Sequence, residues 1–286
     1  MAALDPPARR VRQRLKADDD FSTPPQLHSV EVHPGTKSNP QTRKQHHEDQ
    51  DKGLLITGAN RGIGRALVEE AFSRGASRVY AATRQPFTHS DERVTPLILD
   101  VTNATQIQAA VDRVQSLDVL INNAGIALFD DLTNRAVLEE HLAVNLFGTY
   151  SMTQAFLPLL TRSRGAIVNN VSMMALAPFP VTPAYAISKA AAFNLTQSLR
   201  ALLAGRGVRV HAVLTGPTET DMTRGFPIPK ASPESVARAI FDGVEADEED
   251  IFPDSTSEAL ADFWRNGPAK ALEREHATFV ESERAA

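Results

Sequence analysis

A tyrosine and a lysine four positions apart, Tyr185 and Lys189, stand at the start of an alanine-rich segment in a chain with only three tyrosines. At this spacing the two side chains lie on one face of an α-helix. A free phenol has a pKa of about 10 and is a poor acid–base group at neutral pH, but a neighbouring ammonium stabilises the phenolate and lowers that pKa. The alternative is an ordinary exposed helix face, where such pairs are frequent neighbours.

A second group of residues is suited to phosphate binding. Gly58, Gly62 and Gly64 follow the apolar run 53–57 and precede a segment with helical spacing. Glycines in this context permit a tight turn, a close approach of the backbone to a pyrophosphate, and close packing of helix on strand. The helix N-terminus then offers free N–H groups to the phosphates. The pattern predicts a dinucleotide site, with structural turn glycines as the alternative.

The residues after the second predicted strand bear on the choice of dinucleotide. In NAD sites an acidic residue about 20 positions after the loop binds the ribose 2′-hydroxyl. Here Arg84 stands at that distance from Gly64, and no acidic residue lies between positions 79 and 85. A guanidinium pairs bidentately with a 2′-phosphate, and Arg61 in the loop adds a second cation. We therefore predict NADP(H) rather than NAD(H), the alternative for Arg84 being a solvated strand end.

Short apolar runs alternate with helical segments along most of the chain. The runs predict strands over 53–57, 78–83, 95–101, 117–122, 165–171 and 207–214, with a last edge strand near 251–254. Helical spacing is found over 64–75, 104–115, 134–160, 184–205 and 233–244. Strands alternating with helices predict an α/β fold, a three-layer Rossmann-like doubly wound parallel sheet in a single domain.

The two ends of the chain differ from this pattern. Residues 1–50 hold six of the 18 prolines and one of the 15 glycines, with blocks of charge and no hydrophobic period. This composition predicts a disordered N-terminal extension, although its basic cluster "ARRVRQRLK" also suits an organelle-targeting or surface-binding segment. We place the catalytic domain at 51–255 and a C-terminal helical tail at 256–286. In that tail Leu260, Phe263 and Trp264 are predicted to pack.

Composition disfavours several classes of protein. The net charge of −5 and the pI near 5.9 disfavour a nucleic-acid binder, which normally has a strong basic excess. The absence of cysteine excludes disulfides, thiolate metal sites and a thiol nucleophile. No apolar run approaches the roughly 20 residues that span a bilayer. These features favour a cytoplasmic protein without nucleic-acid or membrane partners.

Several motifs occur together in a fixed order. "TGANRGIG" (57–64) is followed by "LDV" (99–101), "NNAG" (122–125), Asn145, Ser172 and "YAISK" (185–189), with Ser172 lying 13 positions before the tyrosine. The chain from residue 53 to about residue 253 therefore resembles the short-chain dehydrogenase/reductase family.

The resemblance implies catalytic roles for four residues. Tyr185 would donate a proton to the substrate oxygen in carbonyl reduction and take it back in alcohol oxidation. Ser172 would hydrogen-bond that oxygen, and Lys189 would tune Tyr185 and hold the nicotinamide ribose. Asn145 would anchor a water in a proton relay. The cofactor supplies the hydride, so no metal is needed.

The resemblance also implies a set of cofactor contacts. Asp100 would meet the adenine edge, Asn122 and its neighbours the adenosine side, and Thr218 and Thr220 the nicotinamide amide. Thr215 stands where the family usually has proline. The predicted cofactor contacts are Gly58, Asn60, Arg61, Gly62, Ile63, Gly64, Arg84, Asp100, Val101, Asn122, Ala124, Gly125, Tyr185, Lys189, Thr218 and Thr220.

These motifs together predict an NADP(H)-dependent oxidoreductase that interconverts a carbonyl and an alcohol. Apolar residues in 173–184 and 221–233 favour an apolar ketone or aldehyde. The resemblance further implies a homo-dimer or homo-tetramer formed through the helices bearing Asn145 and Tyr185. One alternative is an NADP(H)-binding regulator without turnover. Another is a sugar-nucleotide epimerase or dehydratase, although those usually have a differently spaced glycine loop and a larger C-terminal substrate domain.

Overall fold

A computed structural model describes residues 52–285, and the predicted extension 1–50 lies outside them. Seven parallel strands form one sheet in the order β3-β2-β1-β4-β5-β6-β7. The strands are β1 (Gly53–Thr57), β2 (Arg78–Thr83), β3 (Val94–Ile98), β4 (Val119–Asn122), β5 (Ala166–Asn170), β6 (Arg209–Val213) and β7 (Asp250–Ile251). The predicted doubly wound parallel sheet is confirmed.

Each central strand contributes side chains to both faces of the sheet. In β1, Leu54 and Ile56 enter one hydrophobic core while Leu55 enters the core on the opposite face. Successive strand residues point to opposite faces, so a strand covered on both sides reads as a nearly continuous apolar run. This is why the strands were recognisable in the sequence.

Helices cover both faces. They are α1 (Gly62–Ser73), α2 (Ala104–Arg113), α3 (Arg135–His141), α4 (Thr149–Ser163), α5 (Pro183–Leu203), α6 (Pro233–Glu245), α7 (Ser255–Arg265) and α8 (Pro268–Ala285). Helices α1 and α6 pack on the core that contains Ile56, whereas α2, α4 and α5 pack on the core that contains Leu55. The resulting three layers hold the carboxyl ends of the strands at one edge of the molecule.

The predicted helix over 134–160 is interrupted. A π-helical segment, Leu142–Gly148, joins α3 to α4. Such a segment inserts an extra residue into the helical hydrogen-bond pattern, which hydrophobic spacing does not reveal, and it is frequent at functional sites. Asn145 lies in its middle.

The edge strand β3 is shorter than predicted. It ends at Ile98, and the Asn103 side chain accepts the backbone N–H of Gln106 to begin α2. Pro96 lies inside this strand and has no backbone N–H, which suits an edge position.

The C-terminal helices differ from the prediction in one residue. Leu260 and Trp264 pack against a small core that contains Phe193 and Phe252. The prediction that Phe263 packs was wrong, since its side chain is 82% exposed. The boundary at residue 255 stays a prediction. No helix in the described part of the chain is long and apolar enough to cross a membrane.

Candidate active site

One cavity of about 320 Å³ lies at the carboxyl ends of the strands. It opens between β1 and β4, where the strand order changes direction, the usual ligand position in doubly wound sheets. Sixteen of the predicted site residues line it: Gly58, Asn60, Arg61, Gly62, Ile63, Gly64, Arg84, Asp100, Val101, Ala124, Gly125, Ser172, Tyr185, Lys189, Thr218 and Thr220. Asn122 and Asn145 are absent from this lining.

The glycine loop joins β1 to α1. Gly58 has φ +68°, a left-handed conformation that favours glycine. A Cβ at Gly64 would lie 2.1 Å from the Gly58 carbonyl oxygen, so the helix can approach the turn only without a side chain there. Arg61 precedes α1 without a side-chain cap, which leaves the N–H groups of the first turn available to an anion. These features fit a dinucleotide pyrophosphate.

Asn123 organises this loop and was not predicted. Its side-chain amide donates to the Thr57 carbonyl oxygen at 2.9 Å, and its backbone N–H donates to the Thr57 hydroxyl at 2.9 Å. The Asn170 amide donates to Asn123 Oδ1 at 3.0 Å. Three strand ends, those of β1, β4 and β5, are thereby joined. Because "NNAG" contains two adjacent asparagines, alternation along the strand was the only available signal that the second one faces the cavity.

The first asparagine of that motif, Asn122, lies elsewhere. It is buried, and its amide donates to Asn169 Oδ1 at 2.9 Å and to the Thr153 hydroxyl at 3.3 Å. These bonds tie β4 to β5 and α4. A direct cofactor contact of Asn122 stays a prediction.

Two arginines and two carboxylates, Arg61, Arg84, Asp100 and Asp221, line the end of the cavity near the glycine loop. Asp100 has a lowered pKa, first because the Thr102 hydroxyl donates to it and also because Arg84 is nearby. Arg61 forms an exposed ion pair with Asp221 at 2.9 Å. Asp221 also pairs with Arg224. The segment after β6 therefore crosses above the glycine loop.

The catalytic candidates meet at the other end of the cavity. Ser172 lies two residues beyond the end of β5, while Tyr185 and Lys189 lie in the first turns of α5. The Ser172 hydroxyl donates to the Thr215 carbonyl oxygen at 3.4 Å, accepts the Met174 N–H at 3.1 Å, and lies close enough to the Tyr185 phenol to lower its pKa. Lys189 is 6% exposed, its Nζ donates to the Asn170 carbonyl oxygen at 2.8 Å, and Nζ lies 5.6 Å from the Tyr185 ring centroid.

Burial sets the protonation states of this pair. It raises the pKa of Tyr185 to about 12, a rise that the bond from Ser172 partly offsets. It lowers the pKa of Lys189 to about 8. The expected lowering of the tyrosine pKa is therefore not found, because the loss of solvent outweighs the hydrogen bond from Ser172. The phenol is a proton donor at neutral pH.

Asn145 lies beside the cavity, with its amide engaged by the protein. Its Nδ2 donates to the Ile126 carbonyl oxygen and to the Ser188 hydroxyl, each at 2.9 Å, and its Oδ1 accepts the Ile126 N–H at 2.9 Å. These bonds hold the chain just after the NNAG motif. The water-anchoring role of Asn145 stays a prediction.

The segment after β6 completes one wall of the cavity. Thr215, at the position where proline was expected, donates from its hydroxyl to Asn170 Oδ1 at 2.5 Å. The Gly216 N–H donates to the Asp254 carboxylate at 2.7 Å. Thr218 and Thr220, both in the lining, follow directly.

Apolar side chains surround the mouth of the cavity near Tyr185. Phe129 and Phe226 stack there with ring centroids 5.5 Å apart. The other apolar residues of this lining are Ile126, Ala127, Met173, Met174, Phe179, Met222 and Ile228. An apolar mouth beside two hydroxyl groups suits a carbonyl carried on an apolar body.

Similar proteins are known. Mouse estradiol 17-beta-dehydrogenase 2 is 33% identical over 189 residues, covering 60% of this chain and 49% of that protein. Human short-chain dehydrogenase/reductase 3 is 32% identical over 250 residues, 79% of this chain and 82% of that one. The chain spans about half the length of the mouse protein.

A solved structure agrees in fold. The crystal structure of a short chain dehydrogenase from Burkholderia cenocepacia J2315 in complex with NADP has a TM-score of 0.73 and 32% identity, covering 79% of this chain and 97% of that one. A sequence model described as short chain dehydrogenase matches residues 52–229. Since this match takes in the glycine loop, the serine, the tyrosine and the lysine, the chain belongs to the short chain dehydrogenase family.

Proposed function

We propose that the protein is an NADP(H)-dependent oxidoreductase that interconverts a ketone or aldehyde and the corresponding alcohol. The observation that carries this proposal is that Ser172, Tyr185 and Lys189 share one cavity with the glycine loop. A dinucleotide laid along that cavity would extend from the loop towards the serine and tyrosine hydroxyls.

The preference for NADP(H) rests on charge. Arg84 and Arg61 line the cavity, and no acidic residue follows the end of β2 within the stretch 84–90. A guanidinium stabilises a 2′-phosphate, whereas NAD sites normally present a carboxylate at this place. The Burkholderia relative, which was solved with NADP, is consistent with this choice. The bound nicotinamide supplies or accepts the hydride.

The chain's own residues handle the proton. In reduction, the Tyr185 hydroxyl gives its proton to the substrate oxygen as the carbonyl carbon gains the hydride, and the product is the alcohol. The Ser172 hydroxyl, which lines the same end of the cavity as the phenol, would hydrogen-bond the same oxygen. The Lys189 ammonium stabilises the tyrosinate that remains, and water restores its proton. Oxidation follows the reverse path.

We propose an apolar substrate without a charged group near the carbonyl. The lining near Tyr185 combines aromatic and aliphatic side chains with the hydroxyls of Ser172 and Thr182. A carboxylate or phosphate next to the carbonyl would lose its solvent there, and the one lysine at this end of the cavity, Lys189, is needed to stabilise the tyrosinate. The mouse relative is named for estradiol, a largely apolar alcohol, which supports this substrate class.

We also propose that a second copy of the chain packs against α4 and α5. Phe147, Tyr150 and Ile187 are exposed on the π-helical segment and these helices. Exposed large apolar residues close together mark interaction surfaces. Light scattering of the purified protein tests this assembly: a mass near 31 kDa, that of one chain, would contradict it.

Reduced-nicotinamide consumption tests the function. Wild type, Tyr185→Phe and Tyr150→Phe are compared with acetophenone, cyclohexanone and decanal, using NADPH and then NADH. Tyr150 is the matched control because its hydroxyl lies on an exposed surface outside the cavity. We expect NADPH to be preferred and turnover to be lost only in Tyr185→Phe. Tight NADPH binding with no turnover of any carbonyl would instead favour a regulatory protein.

A further inference from the structure

The loop between β4 and α3 forms one wall of the substrate end. We call residues 126–130 the substrate strap. Ile126, Ala127 and Phe129 line the cavity, whereas Leu128 and Asp130 do not. Phe129 also stacks on Phe226 across the mouth. The position of the strap therefore decides where an apolar substrate lies relative to Tyr185.

His141 holds the middle of this strap. It is the last residue of α3, its side chain is 0% exposed, and its Nε2 accepts the Leu128 N–H at 3.0 Å. Its Nδ1 lies 2.7 Å from the Val137 carbonyl oxygen. A nitrogen that accepts from an N–H carries no proton, so the proton is on Nδ1, which donates to Val137. Both nitrogens are used, and the ring is neutral.

The same imidazole touches the proton donor. Its ring lies edge-on to the Tyr185 ring, with centroids 6.4 Å apart and planes at 70°. This is a favourable aromatic arrangement. His141 therefore connects the strap's backbone to the ring of Tyr185 through one rigid group.

The two ends of the strap are held independently. Asn145 binds both backbone groups of Ile126, as described above. The Asp130 carboxylate accepts the N–H of Ala184, in the first turn of α5, at 3.2 Å. The strap thus has three anchors, and the last one lies a single residue before Tyr185 in the sequence.

We propose that His141 is a positioning residue for carbonyl reduction: through the Leu128 N–H and the Tyr185 ring it fixes the distance between substrate wall and proton donor. The proposal rests on the proposed function. Nothing in the reaction requires His141 to exchange a proton. A residue that only fills space in the core needs no hydrogen bonds, whereas both ring nitrogens of His141 are hydrogen-bonded, one to the Leu128 N–H and one to the Val137 carbonyl oxygen.

Two matched variants separate position from volume. In His141→Gln the amide oxygen can reach the place of Nε2 and accept the Leu128 N–H. In His141→Asn the shorter amide reaches only as far as Nδ1 and can bond Val137 alone. With acetophenone and NADPH we expect His141→Asn to lower kcat/KM by about tenfold to a hundredfold, because small misplacements of a substrate cost this much. His141→Gln should recover most of that loss.

The dissociation constant of NADPH is the control, since the strap lies at the substrate end. We expect it to stay within about twofold of wild type in both variants. Equal kcat/KM in the Asn and Gln variants, whether high or low, would overturn the proposal.

Coupling to Phe129 tests the route of the effect. If His141 acts through the strap, Phe129→Ala removes the wall that it positions, and His141→Asn should then cost much less than in wild type. Independent effects would multiply to within about twofold. Independence of the two changes would contradict a positioning role.

Amide hydrogen exchange gives a readout that needs no turnover. The Leu128 N–H of the wild-type protein should exchange slowly, although Leu128 is 39% exposed, and should exchange faster in His141→Asn but not in His141→Gln. Slow exchange of the Leu128 N–H in a protein that turns over no carbonyl would contradict the proposed oxidoreductase function but not the hydrogen bond between His141 and Leu128. Fast exchange of the Leu128 N–H in an active wild-type protein would contradict the proposal that His141 holds the strap. Since the wild type and His141→Gln suffice for this comparison, an Asn variant that fails to fold does not prevent it.

Discussion

Two buried lysines in this protein have opposite surroundings. Lys270, in α8, is 1% exposed, and its Nζ lies 2.6 Å from Asp250, 2.9 Å from Glu249 and 3.0 Å from Glu273. Lys189, in α5, is 6% exposed and bonds a backbone carbonyl oxygen. Among the described residues no carboxylate forms an ion pair with Lys189.

The difference separates structural from chemical use of the same side chain. The charge of Lys270 is balanced where it lies, in a network that Arg200 and Trp264 complete. Its effect is therefore local and joins α8 to β7 and α5. The charge of Lys189 has no fixed counter-ion, so its field remains available to a phenolate that forms during turnover. Both lysines are buried, so burial does not distinguish their roles. The difference lies in their partners, which are carboxylates for Lys270 and a backbone carbonyl oxygen for Lys189.

Exchanging each lysine for methionine should give the largest contrast in turnover. Lys189→Met should lower kcat for carbonyl reduction by roughly 10²- to 10⁴-fold, the range of an acid–base contribution, because the tyrosinate loses its stabilising cation. Lys270→Met should leave kcat per folded molecule unchanged. Steady-state kinetics with NADPH and acetophenone at a temperature where both variants are folded measures this. Equal losses in the two variants would remove the distinction.

Stability should show the opposite order. Lys270→Met leaves Glu249 without a cation and leaves Asp250 and Glu273 with Arg200 alone, so its cost should approach the value of about 3–5 kcal/mol typical of removing one partner of a buried ion pair. Denaturant unfolding followed by the single tryptophan, Trp264, reports on this region directly. The Lys189→Met variant serves as the control, because it removes an uncompensated buried charge and should not be destabilised at neutral pH. An unchanged unfolding midpoint for Lys270→Met would contradict the structural role.

The pH dependence of stability sharpens the contrast. The pKa of Lys189 is lowered from 10.5 to about 8, so between these values the unfolded chain binds the proton and the folded chain does not. The free energy of unfolding therefore rises with pH through this window. The rise is roughly 3 kcal/mol, because a shift of one pKa unit corresponds to about 1.4 kcal/mol. Lys189→Met should lack this rise and should exceed the wild type in stability most clearly below pH 8. A difference that does not depend on pH would show that Lys189 titrates normally.

The smallest expected effect lies within the network itself. The Trp264 indole donates to Asp250 at 2.8 Å, but Asp250 keeps Lys270 and Arg200 when that donor is lost. Trp264→Phe should therefore cost only about 1 kcal/mol from the hydrogen bond, plus some packing against Phe193. Circular dichroism during urea unfolding measures it, since the variant has no tryptophan. A cost as large as that of Lys270→Met would mean that the ion pairs are not the main support.

Much of the fold and of the candidate site was predictable from the sequence. Strands buried on both faces appear in the sequence as apolar runs. The glycine loop is recognisable because Gly58 adopts a left-handed conformation and Gly64 leaves no space for a Cβ, so both positions favour glycine. Helical spacing places Tyr185 and Lys189 on one face of a helix, and the order of the motifs, with Ser172 lying 13 positions before the tyrosine, gave the resemblance that implies their catalytic role.

The parts that were missed depend on contacts between distant segments. His141 and Asp130 carry no local signal, since each acts on a backbone group that only the folded chain brings near. The Lys270 network joins residues from four elements, α5, β7, α7 and α8, which only the folded chain brings together. The exposure of Phe263 is a tertiary result, because spacing along α7 places it beside Leu260 without fixing which of the two faces the core.

The edges of the sheet bear on how copies of this chain can meet. At one edge β3 contains Pro96, which offers no N–H to an incoming strand, and at the other β7 has only two residues. Open strand edges are where proteins aggregate by adding strands from their neighbours, and short or proline-containing edges discourage it. Within the described chain, both edges therefore discourage growth of the sheet from molecule to molecule, so an ordered assembly of copies is expected to use the helical surfaces instead.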